Sequence, residues 1–385
     1  MRVLIYDTSN PDSPVTSVEY FSRKGIEVIR LTEKQLIPYE GIIPDLTTPL
    51  SQHSIEKILW RIKPSIIHLH AIRTPLLLAL TSAAKRLRIP IVATLHSYKL
   101  LCPITHYVKR PEYVPCEKPY PNRHCAKCIK NIAVSQGRWL SLLGYKAYMS
   151  LIRQAYGRAN VLIAISRTLH GLLKAIGYEN VAYLPNPVSE IFLNSFESPL
   201  GNEYLGNKRI KIGFMGQLKD YKGVHLLPTI AERFPNLEIH VAGWGPLHDW
   251  LMEKSTQHNN LIFHGYLSRA NLLSYVKSLN VVLVPSICSE ACPGVVLEAF
   301  AQGKPVICFN LGGQAELVRS AKGGLLAEPF SINDLCNKIE NLISDPIKAA
   351  EFGFNGRRWV EQNCSPQKIG KTLIDIYERV SSISS

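Results

Sequence analysis

The sequence predicts an α/β protein made of two tandem domains, each a parallel sheet with helices on both faces. Three observations carry that expectation. The chain has 385 residues, too many for one compact core and suited to two domains of ~190. Short β-branched runs alternate with longer amphipathic stretches through both halves. A polar segment bearing proline and glycine, Asn186–Lys208, lacks periodicity and reads as the linker, so the domains are placed at 1–190 and 191–385.

In the first half the runs Arg2–Tyr6, Ile26–Leu31, Ser65–His70, Ile89–His96, Val161–Ser166 and Val181–Leu184 read as strands. The second half repeats the design with Ile210–Met215, Leu237–Gly243, Leu261–Gly265, Val281–Pro285, Pro305–Phe309 and Gly324–Leu326. Helices fill most of the gaps. Hydrophobic residues at 46%, charged at 19% and aromatic at 9% exclude disorder, collagen and coiled coil. The longest apolar stretches, Thr74–Ala84 and Asn280–Ile287, stop short of the ~18–20 residues a spanning helix needs. The opening Met1–Tyr6 reads as a strand, not a signal peptide.

The net charge of +14 is lopsided. Residues 1–190 hold 25 Lys and Arg against 12 Asp and Glu; residues 191–385 hold 19 against 18. Between Lys57 and Tyr178 the acids are Glu112 and Glu117, against 20 basic residues. Such a field attracts anionic lipid headgroups, phosphorylated acceptors or nucleic acid. A solvated basic face is the plainer alternative.

Chemistry concentrates after the strands of the second half. Glu290 and Glu298 lie eight apart in Ser289-Glu290-Ala291-Cys292-Pro293-Gly294-Val295-Val296-Leu297-Glu298. If Pro293 opens a helix, Glu290 sits in the loop at its N-terminus and Glu298 about a turn and a half inside, so both can face one cleft. A helix N-terminus offers backbone donors to a diphosphate, and an ionised carboxylate accepts from two sugar hydroxyls. Taken alone, the pair also fits an acid favoured by the helix dipole and an exposed helical glutamate. Upstream, Gly213-Phe214-Met215-Gly216-Gln217-Leu218-Lys219-Asp220-Tyr221-Lys222-Gly223 puts a glycine loop and a lysine after a strand. Glycine permits close backbone approach, and Lys222 can neutralise diphosphate as a point charge. Two more glycine-bearing strand ends follow, Gly243-Trp244-Gly245-Pro246 and His264-Gly265-Tyr266-Leu267.

In this order the motifs resemble those of the retaining glycosyltransferases of glycosyltransferase family 4, over nearly the whole chain. The family's glycine–arginine–leucine run ending in lysine–glycine, its Gly-x-Gly-Pro turn and its Glu-x7-Glu motif are matched by Gly216–Gly223, Gly243–Pro246 and Glu290–Glu298. The resemblance implies two tandem Rossmann-like domains facing across a cleft, the GT-B fold, with no cofactor for transfer. It implies that Glu298 holds the ribose hydroxyls, Lys222 the diphosphate and Glu290 the donor-sugar hydroxyls. Backbone near Tyr266 and Leu267 would meet the base. His96, at the end of Ile91–Leu95, matches a histidine that contacts the donor sugar. His68 and His70 share one face of their strand, His68 structural and His70 structural or facing the cleft. Pro185-Asn186-Pro187-Val188 resembles the family's interdomain hinge turn.

Three departures qualify the match. Gln217 stands where the family has arginine and brings no charge to the diphosphate. Thr8-Ser9-Asn10-Pro11-Asp12-Ser13-Pro14 replaces the glycine-rich loop after the first strand. Pro293 falls in the acid loop and has no N–H, so the amides of Gly294 and Val295 would serve there.

Cys102, Cys116, Cys125 and Cys128 lie in an insert at about 99–130, and four thiolates suit a structural zinc or, less well, an iron–sulfur cluster. Thiols or disulfides in a loop are the alternative. Gly137–Arg153 reads as an amphipathic helix with basic residues among aromatics, a membrane-surface or a core element. Together these readings imply a hexosyltransferase using a nucleotide diphosphate sugar and a glycan or polyprenyl-linked acceptor in cell-surface glycan or glycolipid synthesis. The expected place is cytoplasmic, peripheral on the inner face of an anionic membrane, with nucleic acid disfavoured as a partner. The competing readings are a non-catalytic subunit of the same fold with weakened donor binding, and a sugar-nucleotide epimerase.

Overall fold

The computed structural model describes residues 1–7, 24–31, 52–70, 74–102, 107–109, 114–116, 119, 121, 125–135, 142–196 and 209–384. The loop at 8–14, the segment 137–141 and most of the proposed linker, 197–208, lie outside the described residues. The chain divides into two compact units. Met1–Pro111, Glu117–Asn186 and Pro366–Ser385 make the first, Glu112–Cys116 and Pro187–Ser365 the second. The change of unit falls at Asn186, four residues before the expected boundary. Just beyond it the Val188 amide donates to the Cys364 carbonyl at 2.9 Å, fastening the chain to the second unit.

The first half of the chain runs β1 (Arg2–Asp7), β2 (Glu27–Leu31), α1 (Gln52–Ile62), β3 (Ile66–His70), α2 (Thr74–Arg86), β4 (Ile91–Leu95), the short β5 (Val108–Lys109) and β6 (Val114–Pro115), α3 (Cys125–Ser135), α4 (Leu142–Tyr156), β7 (Val161–Ala164), α5 (Arg167–Ala175) and β8 (Val181–Tyr183). The second runs α6 (Glu190–Asn194), β9 (Lys211–Gln217), α7 (Leu227–Arg233), β10 (Glu238–Trp244), α8 (His248–Gln257), β11 (Leu261–Phe263), α9 (Arg269–Ser278), β12 (Val281–Val284), α10 (Gly294–Ala301), β13 (Val306–Phe309), α11 (Gly312–Ala321), β14 (Gly324–Ala327), α12 (Ile332–Ile343), α13 (Pro346–Asn363) and α14 (Pro366–Ser384).

All twelve expected strands form, six in each large sheet, and every described pairing within those sheets is parallel. Strands of a parallel sheet are covered on both faces, which is why β3 and β4 are buried at all five positions, polar His68, His70 and Thr94 included. The two sheets are not copies. Their orders are β2-β1-β3-β4-β7-β8 and β11-β10-β9-β12-β13-β14, so the winding reverses between β1 and β3 in the first and between β9 and β12 in the second. A crevice opens at the carboxyl ends of the strands at such a reversal.

The core of the second unit sets Phe214, Val241, Leu283 and Ile307 against Leu227, Ile230, Leu335 and Ile339. In the first, Val3, Ile5, Ile66, Val92 and Ile163 of the sheet pack against Ile369, Leu373, Ile376, Tyr377 and Val380 of α14. Those α14 positions recur at helical spacing and form one apolar stripe, each large side chain worth ~1.5–3 kcal/mol when fully buried. Serine and aspartate start several helices: Ser166, Ser268, Ser331 and Asp345 each accept from an amide three residues on.

Within Gly137–Arg153 the described helix starts at Leu142. Its stripe of Met149, Ile152, Ala155 and Tyr156 is buried, leaving Lys146, Tyr148 and Leu151 outside. The apolar periodicity there belongs to the core. Among the described residues no helix is long and apolar enough to cross a membrane.

Candidate active site

The reversal in the second sheet gathers the residues the motifs single out. At the end of β9 stand Gly216, with φ +149°, and Gln217, an exposed side chain whose Oε1 lies a long 3.5 Å from the Tyr221 hydroxyl. Gly243, opposite Gly216 in β10, has φ +154°, and a Cβ there would lie 1.9 Å from the Gly216 carbonyl oxygen. The two strand ends can meet only because Gly243 carries no side chain. A 3-10 turn at Asp220–Lys222 follows and ends on Gly223, whose φ is +75°. A Cβ on Gly223 would come within 2.0 Å of the Pro285 carbonyl oxygen, and the Ile287 amide donates to the Tyr221 carbonyl at 2.9 Å. The lysine turn is thereby locked onto the loop that follows β12.

Lys222 Nζ lies 2.6 Å from Glu290 Oε2, and the Ser286 hydroxyl donates to Glu290 Oε1 at 2.5 Å. Burial acts to lower the Lys222 pKa, but the Glu290 carboxylate outweighs it and the ammonium is held above its ordinary value. Beneath them Gln314, fully buried, accepts from the Glu290 amide at 3.1 Å and donates to the Ser286 and Cys288 carbonyls at 3.2 Å. Gly312 and Gly313 let α11 approach that closely, since a Cβ on Gly313 would sit 1.9 Å from the Ala291 carbonyl oxygen. Ser286 and Gln314 were not found by sequence reasoning. Their signals were a Pro-Ser at the end of β12 and a Gly-Gly-Gln at a helix start.

Pro293 is the residue before α10, and Gly294 and Val295 are its first two residues, where backbone N–H groups have no partner within the helix. Glu298 projects from its second turn. It is buried, which pushes its carboxyl pKa up against the pull of Arg269, whose Nη1 lies 2.6 Å from Glu298 Oε1. Arg269 went unnoticed in the sequence because no motif marks it. Tyr266 and Leu267 follow β11, with the Tyr266 ring exposed and the neighbouring Gly265 carbonyl accepting from the Gly243 amide at 2.8 Å.

In the first unit, His96 follows β4 half-buried, its Nε2 2.9 Å from Nδ1 of buried His70. His68 is structural: Nδ1 lies 2.5 Å from the Tyr377 hydroxyl and Nε2 2.8 Å from Thr94 Oγ1. Full burial, with a smaller push from His96, lowers its pKa to about 3. The ring is neutral at every physiological pH.

Among the described residues no group of three or more His, Cys, Asp or Glu is placed to hold a metal. Cys125 and Cys128 occupy the first turn of α3, where Cys125 packs against Ile129 and Met149. Cys102 is buried and Cys116 half-buried.

A phosphate-ready helix start, a half-buried lysine and two acids at a sheet reversal, within a chain of two parallel α/β units, define the class as a GT-B protein. The chain belongs to glycosyltransferase family 4: residues 3–190 match the family described as Glycosyltransferase Family 4, and residues 202–359 the one described as Glycosyl transferases group 1. Similar curated proteins include the glycogen synthase of Mycobacterium tuberculosis, 27% identical over 43% of this chain and 41% of that protein. Another is the sulfoquinovosyl transferase SQD2 of Arabidopsis thaliana, 28% identical over 84% and 58%. The match to glycogen synthase thus spans less than half of that relative's length. Among solved structures, HepE of Anabaena, determined in complex with UDP, aligns at TM-score 0.69 and 18% identity over 98% of this chain and 100% of that one.

Proposed function

We propose that the protein transfers a hexose from a nucleotide diphosphate sugar to a glycan or polyprenyl-linked acceptor, with retention at the anomeric carbon, in the making of cell-surface glycans or glycolipids. The observation that carries this is the Lys222–Glu290 pair at the β9–β12 reversal beside the start of α10. The diphosphate lies against the Gly294 and Val295 amides and Lys222, Glu298 takes the ribose hydroxyls, and Glu290 the hydroxyls of the sugar. His96, by the family resemblance, contacts the same sugar. In the transfer the bond from the anomeric carbon to the diphosphate breaks, and its electron pair leaves with the phosphate. The acceptor oxygen bonds to the carbon on the face just vacated, and its proton passes to the departing phosphate oxygen. Fixed donors aimed at that growing charge supply the acceleration. The UDP complex of HepE supports a nucleotide donor.

The basic first half is the acceptor side and docks on an anionic membrane surface. A non-catalytic subunit, motivated by Gln217, is disfavoured by the closed Lys222–Glu290 contact. The deciding experiment is thermal-shift screening against nucleotide diphosphates and their sugars, followed by NMR of the transfer product. A stabilising nucleotide sugar and a product of unchanged anomeric configuration are expected. No stabilisation by any of them, or an epimerised free nucleotide sugar as the product, overturns the reading.

A further inference from the structure

Glu298 is gripped from outside its own helix. Arg269, at the start of α9, puts Nη1 2.6 Å from its Oε1, and the Arg269 guanidinium carbon stands 5.0 Å from the centre of the Phe192 ring. Phe192 is fully buried on α6. That helix is itself pinned: the Gln302 amide donates to the Phe192 carbonyl, and Arg357 Nη2 donates to the Leu193 carbonyl at 3.0 Å. The guanidinium is therefore held by charge on one side and by an immobile ring on another.

The other ionisable groups around α10 are engaged elsewhere or apolar in their surroundings. Lys222 and Glu290 hold each other. Arg357, from α13, turns to Glu361 and to the carbonyls of Ala301 and Leu193. Arg319, from α11, donates to Asn310. From β13 comes Cys308, whose thiol burial pushes far up, and Glu190 lies at the exposed start of α6. Among the described residues the charge acting on the Glu298 carboxylate is Arg269.

A carboxylate that accepts from two ribose hydroxyls must be ionised and aimed, and a buried one without a partner takes up a proton instead. We infer that Arg269 is a positioning residue, mounted on Phe192, that keeps the Glu298 carboxylate ionised and oriented for the hydroxyls of a nucleotide ribose. This rests on the donor-binding role proposed for Glu298, and two measurements separate them.

Without ligand, thermal unfolding is followed from pH 5.5 to 8.5 for wild type, Arg269→Ala, Arg269→Lys and the double variant Arg269→Ala/Glu298→Gln. The folded-state carboxyl of Arg269→Ala lies further above the unfolded value than that of wild type, so its stability deficit grows as pH rises. Arg269→Lys recovers part of the loss, and the double variant shows no such trend. With UDP-glucose, whose diphosphate diester keeps its two negative charges over this range, Arg269→Ala binds several-fold more weakly than wild type at the low end of the range and approaches it as pH rises. A deficit equal at every pH in both measurements overturns the inference. Failure of wild type to bind UDP-glucose or any other nucleotide sugar of the screen above overturns the ribose role, and the ligand-free trend then decides alone whether Arg269 holds Glu298 ionised.

Discussion

Lys222 and Glu290, 68 residues apart in the chain, close an ion pair of 2.6 Å with side chains only 22% and 13% exposed. The ammonium has three donors, and the pair leaves it able to turn toward a phosphate while Glu290 keeps its bond from Ser286.

Lys222→Ala is expected to lower nucleotide diphosphate affinity by at least ~10-fold, about 1.4 kcal/mol. It also strands a half-buried carboxylate that keeps only its bond from Ser286, which costs on the order of 1 to 3 kcal/mol of stability. Adding Glu290→Gln should return much of that stability and none of the affinity. Calorimetry and denaturant unfolding check the two effects, and an affinity equal to wild type in Lys222→Ala removes the lysine from the site.

Glu290→Gln and His96→Ala should cut turnover by ~100-fold or more while nucleotide diphosphate affinity changes by less than ~3-fold, the pattern of contacts made in the transition state. Steady-state rates set beside binding constants test this. Turnover at the wild-type level in Glu290→Gln contradicts the assignment.

His68 gives a pH signature in the first unit. Its folded pKa of about 3 lies below the ordinary 6.5, so its contribution to stability is whole above pH 6.5 and is lost as pH falls from there toward 3. The slope approaches ~1.4 kcal/mol per pH unit. His68→Gln, which does not titrate, should show a shallower loss between pH 6.5 and 4.5 in urea unfolding. Parallel curves for the two proteins would speak against a neutral buried ring.

The charge of the first half predicts salt-sensitive docking. Co-sedimentation with anionic vesicles should be strong at 0.1 M salt and vanish toward 1 M, as the Debye length falls from ~10 Å to ~3 Å. Equal binding to anionic and neutral vesicles, or none to either, would leave a soluble acidic acceptor as the better account of the charge.

The strands were legible because runs such as Ile66–His70 and Val281–Val284 are buried on both faces and bounded by turn residues. The Lys222–Glu290 constellation was legible because each half of it sits in a local motif. The sheet orders were not, since alternation of strand and helix leaves open on which side of β1 or β9 the next strand lands. Arg269 escaped for a similar reason: it meets Glu298 from 29 positions away with no pattern of its own. The cysteine spacing has two readings because Cys125 and Cys128 fall on one helical turn, where the same spacing also serves packing.

Because α14 completes the first core, that core cannot close when residue 186 leaves the ribosome. At 5–20 residues per second, roughly 9–36 s pass before Pro366 is made, and one apolar face of the first sheet waits uncovered for that time. The second unit, whose segments Glu112–Cys116 and Pro187–Ser365 are all synthesised by then, can finish before the first. Order of synthesis and order of folding are thus inverted in this chain, and the bare sheet face is where a nascent-chain chaperone has most to do.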